Sequence, residues 1–235
     1  MKGVKSLLLI SVMLIAGMLS ASTFDDVEKQ ILKKANIEEL ELLQTADIVV
    51  LEGRAASLKD KLEAEKIAAD EIKTAIVSRI ELPVTQRSDE EINVDIASRL
   101  RHKASRSGAF NSISVKTSAG DVLLSGSVRD AILFRQAQEA AEETPGVRSV
   151  ENRIKILPPS ASDDRLRLAI YRVLRSQYPY YFNGAYPRVS ILVDFSRVKL
   201  SGYVHSDVDR VRMASIARQM PGVLNVENQL QLDRG

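Results

Sequence analysis

The sequence predicts an α+β protein built from tandem modules, because one pattern of residues recurs along the chain. The segment Pro145–Ile156 (PGVRSVENRIKI) recurs 76 positions further along as Pro221–Leu232 (PGVLNVENQLQL). A second matched pair, Val122–Val128 (VLLSGSV) and Val198–Val204 (VKLSGYV), has the same offset. Self-similarity at a fixed period is typical of repeated supersecondary units. The chain therefore carries at least two copies of one fold.

A third and weaker copy precedes these two. It has Ile72–Lys73–Thr74 where the other copies have Pro-Gly-Val. Its apolar residues and glycine fall 73 positions before Ile113, Val115, Val122, Leu124 and Gly126; they are Leu40, Leu42, Val49, Leu51 and Gly53. We predict three modules, at residues 24–83, 88–157 and 162–233, of which the first is degenerate. They are called modules 1, 2 and 3.

Each complete module has the pattern of helix, strand, strand, helix, strand. In module 2, Ser88–Glu91 is a capping box, and apolar residues follow at helical spacing over Ile92–Leu100. Alternating apolar residues over Ile113–Leu124 predict a hairpin, and an alanine-rich helix follows at about 130–143. The sequence therefore predicts tandem αββαβ modules, each a three-stranded mixed sheet with two helices on one face.

The residues shared by modules 2 and 3 have structural interpretations. A Pro-Gly pair ends a helix, a glycine within a strand indicates a bulge or a close backbone approach, and an asparagine at a strand edge bonds to nearby backbone. These roles are assigned to Gly126, Pro145, Gly146, Val147 and Asn152 in module 2, and to Gly202, Pro221, Gly222, Val223 and Asn228 in module 3.

The start of the chain, at positions 1–22, predicts a secretory signal peptide. A positively charged start precedes the apolar run Ser6–Leu19, and small residues follow at Ser20–Ser22. The run is shorter than the roughly 20 residues that a membrane-spanning helix needs. Cleavage after Ala21 or Ser22 would send the chain to the periplasm of a bacterium. An uncleaved anchor is the alternative, because Leu19 fits poorly three residues before the first cleavage point.

The composition argues against enzymatic chemistry. The 235 residues include no cysteine, which excludes disulfides, thiolate metal sites and a lipid-modified N-terminal cysteine. No metal-ligand spacing or phosphate-binding glycine loop occurs. His205–Ser206–Asp207 has the composition of a catalytic triad, but adjacent residues do not have triad geometry, and we interpret this segment as a helix N-cap. We predict a non-enzyme without cofactor or metal.

The combined motifs resemble a known family. An apolar helix, V-x-L-S-G-x-V, an alanine-rich helix and P-G-V-x-x-V-x-N-x-[IL] are together similar to the BON domain of bacterial osmotically inducible and nodulation proteins. The resemblance covers Ser88–Leu157 and Ser162–Asp233, while module 1 departs from it by lacking Pro-Gly-Val. It implies an exported, non-enzymatic protein that binds phospholipid surfaces and supports envelope integrity or tolerance of osmotic stress.

Charge and aromatic residues single out module 3. Residues 23–87 carry 10 basic and 14 acidic residues (net −4), residues 88–157 carry 10 of each, and residues 158–235 carry 11 and 7 (net +4). This asymmetry predicts an anionic partner for module 3. The segment Ser176–Pro187 (SQYPYYFNGAYP) adds aromatic rings suited to lipid headgroups. We predict that module 3 binds anionic phospholipid through Arg165, Arg167, Arg172, Arg175, Tyr178, Tyr180, Tyr181, Phe182 and Arg188.

Alternatives stay open for the rings and for the function. The rings of Tyr178–Phe182 would instead cover the seam between modules 2 and 3, and Tyr186 aligns with Phe110 as a core residue. The functional alternative is protein assembly in the envelope without direct lipid binding, with an envelope protein or a homo-oligomer as partner. Nucleic-acid binding would suit basic helices with aromatics, but the signal peptide argues against it.

Overall fold

A computed structural model describes residues 21–45, 48–103, 108–183 and 187–233, and it confirms the predicted fold class. Module 1 comprises α1 (Ala21–Lys34), β1 (Ile37–Thr45), β2 (Ile48–Ala55), α2 (Leu58–Glu71) and β3 (Ala75–Glu81). Module 2 comprises α3 (Asp89–Lys103), β4 (Ser112–Ser118), β5 (Asp121–Val128), α4 (Ala131–Glu142) and β6 (Ser149–Ile156). Module 3 comprises α5 (Ala161–Gln177), α6 (Pro179–Phe182), β7 (Val189–Asp194), β8 (Arg197–Val204), α7 (Asp207–Gln219) and β9 (Asn225–Leu232).

Each module has its own three-stranded mixed sheet. The middle strand pairs antiparallel with the strand before it and parallel with the strand after it, in the orders β1-β2-β3, β4-β5-β6 and β7-β8-β9. The parallel pairing follows from the crossover through the second helix of each module. One face of each middle strand is buried in alternate positions, as a half-covered sheet requires.

The chain divides into two compact units. The first comprises Met1–Ala56 with Asp60–Glu81, and the second comprises Ser57–Lys59 with Leu82–Gly235, which includes modules 2 and 3. The module limits given above stay a prediction. Residues 1–20 of the predicted signal peptide, like Tyr186, lie outside the described residues.

In module 1, both helices and the middle strand bury apolar or small side chains. Val27 and Ile31 of α1, Ala64 and Ala68 of α2, and Leu51 of β2 are each almost fully buried. Module 1 therefore has a packed core of its own, although it lacks the Pro-Gly-Val turn.

Module 2 begins with the predicted capping box. The backbone N–H and the hydroxyl of Ser88 both donate to the Glu91 carboxylate at 2.8 Å, and the Glu91 N–H donates to the Ser88 hydroxyl at 3.3 Å. The hydrogen bond from the Ser88 backbone lowers the pKa of Glu91 below its ordinary value. Behind this cap, Ile92 and Ile96 of α3 pack with Leu124 of β5 and Ala137 of α4 in one core.

The strand glycines allow two backbones to approach closely. Gly126 has φ +116° and Gly202 has φ +115°, and a Cβ at either would lie 2.0 Å from a carbonyl oxygen, that of Ser112 or Arg188. A side chain is therefore excluded on both steric and conformational grounds. Gly126 and Gly202 occupy equivalent positions in modules 2 and 3, at the end of the sheet where the first strand of the module begins.

The repeated asparagines link the last strand to the second helix. Asn152 accepts from the Ile154 N–H at 3.1 Å and donates to the Phe134 carbonyl at 3.4 Å. Asn228 likewise accepts from the Leu230 N–H at 3.2 Å and donates to the Arg210 carbonyl at 2.9 Å. The Pro-Gly-Val turns precede these strands, with Gly146 at φ +93° and Gly222 at φ +91°.

An aspartate on the first helix fixes the hairpin turn in both modules. The Asp89 carboxylate accepts from the N–H groups of Ala119 and Gly120, at 2.8 and 3.0 Å. In module 3, Asp163 accepts from Phe195 and Ser196, at 3.0 and 2.9 Å. All four turn residues have positive φ. We call this arrangement the aspartate clasp.

Module 2 contributes side chains to the core of module 3. A 3-10 turn at Gly108–Phe110 precedes β4, and Ala109 is buried in the core of module 3, with Phe110 packed against it. The Phe110 ring meets Tyr171 edge-on at 5.3 Å between centroids. The two modules therefore share a hydrophobic seam.

Polar groups join the two modules beside this seam. Asp164 accepts from Arg129 of module 2 at 2.7 Å. The hydroxyls of Ser112 and Ser201 are 2.9 Å apart. These bonds fix the register of the seam, while the packing of Phe110 and Ala109 supplies its buried apolar area.

Candidate functional site

Helix α5 has one side that is buried in the core and an opposite side that is exposed. Ser160 caps it by accepting from the Asp163 N–H at 3.2 Å. Ile170 and Leu174 point into the core. The opposite side is exposed and carries four residues at helical spacing, Arg165, Leu168, Arg172 and Arg175. We call these four residues the arginine stripe.

The arginines of the stripe are free to meet an external anion. Among the residues that the structure describes, Arg165 and Arg172 make no ion pair, and the Arg175 guanidinium lies 5.9 Å from the Tyr171 ring centroid. Arginines with such freedom suit a surface of phosphates, because a guanidinium can donate to two oxygens at once.

Arg167 differs from its neighbours, because it is only 3% exposed. It contacts Asp164, donates to the Val193 carbonyl at 3.2 Å, and lies 5.9 Å above the Phe110 ring. Burial lowers the pKa of its guanidinium, and the hydrogen bond to Asp164 opposes that change. Its Nε has no hydrogen-bond partner among the residues that the structure describes. Contrary to the prediction, Arg167 belongs to the seam between modules 2 and 3.

The aromatic segment folds as the short helix α6 and covers one end of the core. Tyr181 and Phe182 are 4% and 2% exposed. The Tyr181 hydroxyl donates to Asp209 at 2.7 Å and accepts from the His205 N–H at 2.9 Å. Phe182 meets Tyr171 edge-on at 5.5 Å. These two rings are core residues in this arrangement, in contrast with the expectation that they face lipid.

Three further members of the predicted lipid-binding set lie beside α6, namely Tyr178, Tyr180 and Arg188. Tyr180 is 57% exposed, and its ring lies between His205, at 4.8 Å, and the Arg188 guanidinium, at 5.2 Å. Arg188 also pairs with Asp233 at 2.6 Å. Tyr178 is partly buried beside Tyr181, with 6.4 Å between ring centroids. Tyr180 and Arg188 are therefore exposed, but Arg188 is already paired.

The histidine segment has the geometry of a helix cap. Ser206 is the N-cap of α7 and accepts from the Asp209 N–H at 3.1 Å. His205 is exposed and stacks beside tyrosine rings. Within the described ranges, no group of three or more acidic or histidine side chains is placed to hold a metal ion.

A groove runs between modules 2 and 3. It has a volume of about 940 Å³ and lies between helix α3 with the edge strand β4 and the helix-free face of sheet β7-β8-β9. Its lining combines apolar residues with uncharged polar ones, and the polar ones include Asn93, Ser112, Ser114, Ser201, Tyr203 and Gln229.

The sequence profile of the BON domain matches residues 88–158 and 162–234, together more than half of the chain. The chain belongs to the BON-domain family. Modules 2 and 3 are its two BON modules, and module 1 repeats their topology without matching the profile.

Other comparisons add little to this assignment. No curated protein matches the chain in sequence. Among solved structures, the C-terminal domain of CdsD, a structural protein of the type III secretion system of Chlamydia trachomatis, is 15% identical over 92% of this chain and 100% of that chain, with a TM-score of 0.25. The periplasmic domain of the type III secretion inner-membrane protein PrgH from S. typhimurium is 16% identical over 83% and 94%, with a TM-score of 0.23.

The second BON module has exposed apolar residues that sequence reasoning missed. Phe195 of the β7–β8 turn is 75% exposed, and Leu224 of the α7–β9 turn is 78% exposed. The signal was present in the repeat, because the first BON module has Ala119 and Arg148 at these positions.

Within the described parts of the chain, no helix combines the length and apolar character needed to cross a bilayer.

Proposed function

We propose that this BON protein is a non-catalytic periplasmic protein whose module 3 binds anionic phospholipid surfaces and thereby supports envelope integrity or tolerance of osmotic stress. The observation that carries the proposal is the arginine stripe on α5, with three exposed guanidinium groups around Leu168. The net charge of +4 on residues 158–235 supports it, and membership of the BON family agrees with it.

Electrostatic attraction gives the expected size of the effect. Each arginine near an anionic bilayer adds about 1 kcal/mol, and the attraction declines within a Debye length. Arg165, Arg172 and Arg175 would together supply about 3 kcal/mol, which is roughly 100-fold in the partition coefficient. Of the other predicted contacts, Tyr180 and Arg188 lie at the surface near the end of α5, whereas Arg167, Tyr181 and Phe182 are left out because they are buried.

Co-sedimentation with vesicles tests the proposal. Residues 23–235 are mixed with anionic or neutral phospholipid vesicles at low and high salt. We expect pelleting with anionic vesicles, weakened by salt, and a loss of roughly 100-fold in the variant R165Q/R172Q/R175Q.

A charge-matched control separates a specific site from general attraction. The variant R135Q/R148Q/K155Q removes three exposed cations from module 2 and should retain most of the binding. Equal losses in both triple variants would refute a specific role for α5, and absence of pelleting with anionic vesicles would refute lipid binding by this chain.

A second candidate function is protein assembly, which the groove between modules 2 and 3 favours. The edge strand β4 lines it through Ser112 and Ser114, and an extended peptide can add to such an edge. This function predicts self-association or partner capture that is independent of lipid. Analytical ultracentrifugation with and without vesicles would separate the two functions.

A further inference from the structure

Two apolar side chains protrude together from one end of module 3. Phe195 and Leu224 are 75% and 78% exposed. Their turns are in contact, because the Leu224 N–H donates to the Ser196 carbonyl at 2.9 Å. We call Phe195 and Leu224 the apolar tip.

The backbone that presents the tip is fixed. Asp163 accepts from the N–H groups of both Phe195 and Ser196 through the aspartate clasp. Phe195 has φ +47° and Ser196 has φ +60°, a conformation that costs a residue with a side chain about 1 kcal/mol. A bulky ring that stays exposed at such a position gains little from burial, and strained positions cluster at functional sites.

Comparison within the chain shows that the fold does not need the tip. Module 2 has the same clasp around Ala119 and Gly120. There the chain has Arg148 where module 3 has Leu224, and the Arg148 N–H donates to the Gly120 carbonyl at 2.9 Å. The same backbone thus forms with no large apolar side chain at either position.

The shape and surroundings of the tip fit a bilayer. A specific protein interface covers about 800 Å² on each partner, far more than two side chains offer. Interfacial insertion needs only a small apolar area with cations beside it. Arg197 follows the turn directly, Arg165 is two residues from the clasping Asp163, and neither makes an ion pair with a described residue.

We propose that the apolar tip inserts into the outer hydrocarbon region of anionic phospholipid bilayers, with Arg197 and Arg165 held at the headgroups. This inference rests on the proposed lipid binding and specifies which atoms enter the membrane. It directs the N-terminal end of α5 towards the bilayer, because Asp163 of that end holds the turn.

A tryptophan probe tests insertion directly, because the chain contains no tryptophan. Phe195→Trp in residues 23–235 gives a single tryptophan at the tip, and Ala119→Trp gives the matched tryptophan at the equivalent turn of module 2. With anionic vesicles we expect a blue shift and quenching by brominated acyl chains for the F195W variant, and neither effect for the A119W variant.

An affinity measurement provides a second readout. The variant F195A/L224R gives module 3 the residues of module 2 and adds a positive charge, so attraction alone predicts tighter binding. Insertion predicts a loss of about tenfold or more in the partition coefficient. V208S/V211S, which changes exposed apolar residues of α7, should bind as the parent does.

The outcomes distinguish the two proposals. Binding of the parent chain with no quenching in the F195W variant, or tighter binding of F195A/L224R, would overturn the inference and leave the arginine stripe as the contact. Failure of the parent chain to bind anionic vesicles would refute the proposed function, and the inference with it.

Discussion

Replacing Phe110 by alanine tests whether module 3 depends on a residue of module 2. Truncating a buried phenylalanine costs about 3–5 kcal/mol, and the partial burial of Phe110 reduces this to about 2 kcal/mol. Loss of the edge-on contact with Tyr171, at 5.3 Å, adds about 1 kcal/mol. We therefore expect Phe110→Ala to lower the free energy of unfolding of module 3 by about 3 kcal/mol.

The tyrosines make this measurement specific. All six lie in residues 158–235, so tyrosine fluorescence during urea unfolding reports module 3 alone. The control is Phe134→Ala, since Phe134 packs on the core of module 2 and should leave the native tyrosine spectrum unchanged. A surface substitution without structural contacts changes the free energy of unfolding by about 0.5 kcal/mol or less. A tyrosine transition that Phe110→Ala shifts by no more than this would refute the shared seam.

Two further predictions concern module 3. Gly202→Ala should destabilise the protein by about 3 kcal/mol or more, because its Cβ would lie 2.0 Å from the Arg188 carbonyl oxygen. Gly222→Ala should cost only about 1 kcal/mol, because no atom of the described residues lies within 4 Å of the position of its Cβ. Similar melting temperatures for both variants would contradict this expectation. Burial and the hydrogen bond to Asp209 raise the pKa of Tyr181 above 10.0, so the stability linked to its proton is complete below pH 10.0 and is lost as pH rises further. Tyr181→Phe should reduce this alkaline decline in urea unfolding at pH 9–11, and an unchanged decline would argue against the assignment.

The sequence predicted the fold well because comparison of the two repeats indicates the strands and their pairing register. Val122 pairs with Val150 in module 2, and Val198 pairs with Val226 at the equivalent positions of module 3. A shift of one residue in either copy would turn the apolar face outward. Matching apolar positions in two copies therefore fixed the strands and the helices between them.

The functional residues were harder to assign, because the charge or aromaticity of a side chain does not specify whether it faces the core or the solvent. Arg167 was grouped with the exposed arginines, yet it lies in helical phase with Ile170 and Leu174, and this spacing was a usable signal. The four-residue helix α6 is too short to show a helical period, so the burial of Tyr181 and Phe182 depends on tertiary contacts. Repeat alignment placed Phe110 in a core, but it could not show that the core belongs to the next module.

The aspartate clasp separates the shape of a turn from the chemistry that the turn displays. Asp89 and Asp163 each hold a pair of turn residues in the left-handed conformation. The first residue of the pair carries a methyl group in module 2 and a benzyl group in module 3. The entropy cost of ordering the turn is incurred during folding. The backbone that carries the side chain is therefore already rigid when the side chain contacts another surface. Modules 2 and 3 thus share a rigid turn on which the displayed side chain can be exchanged while the fold stays the same.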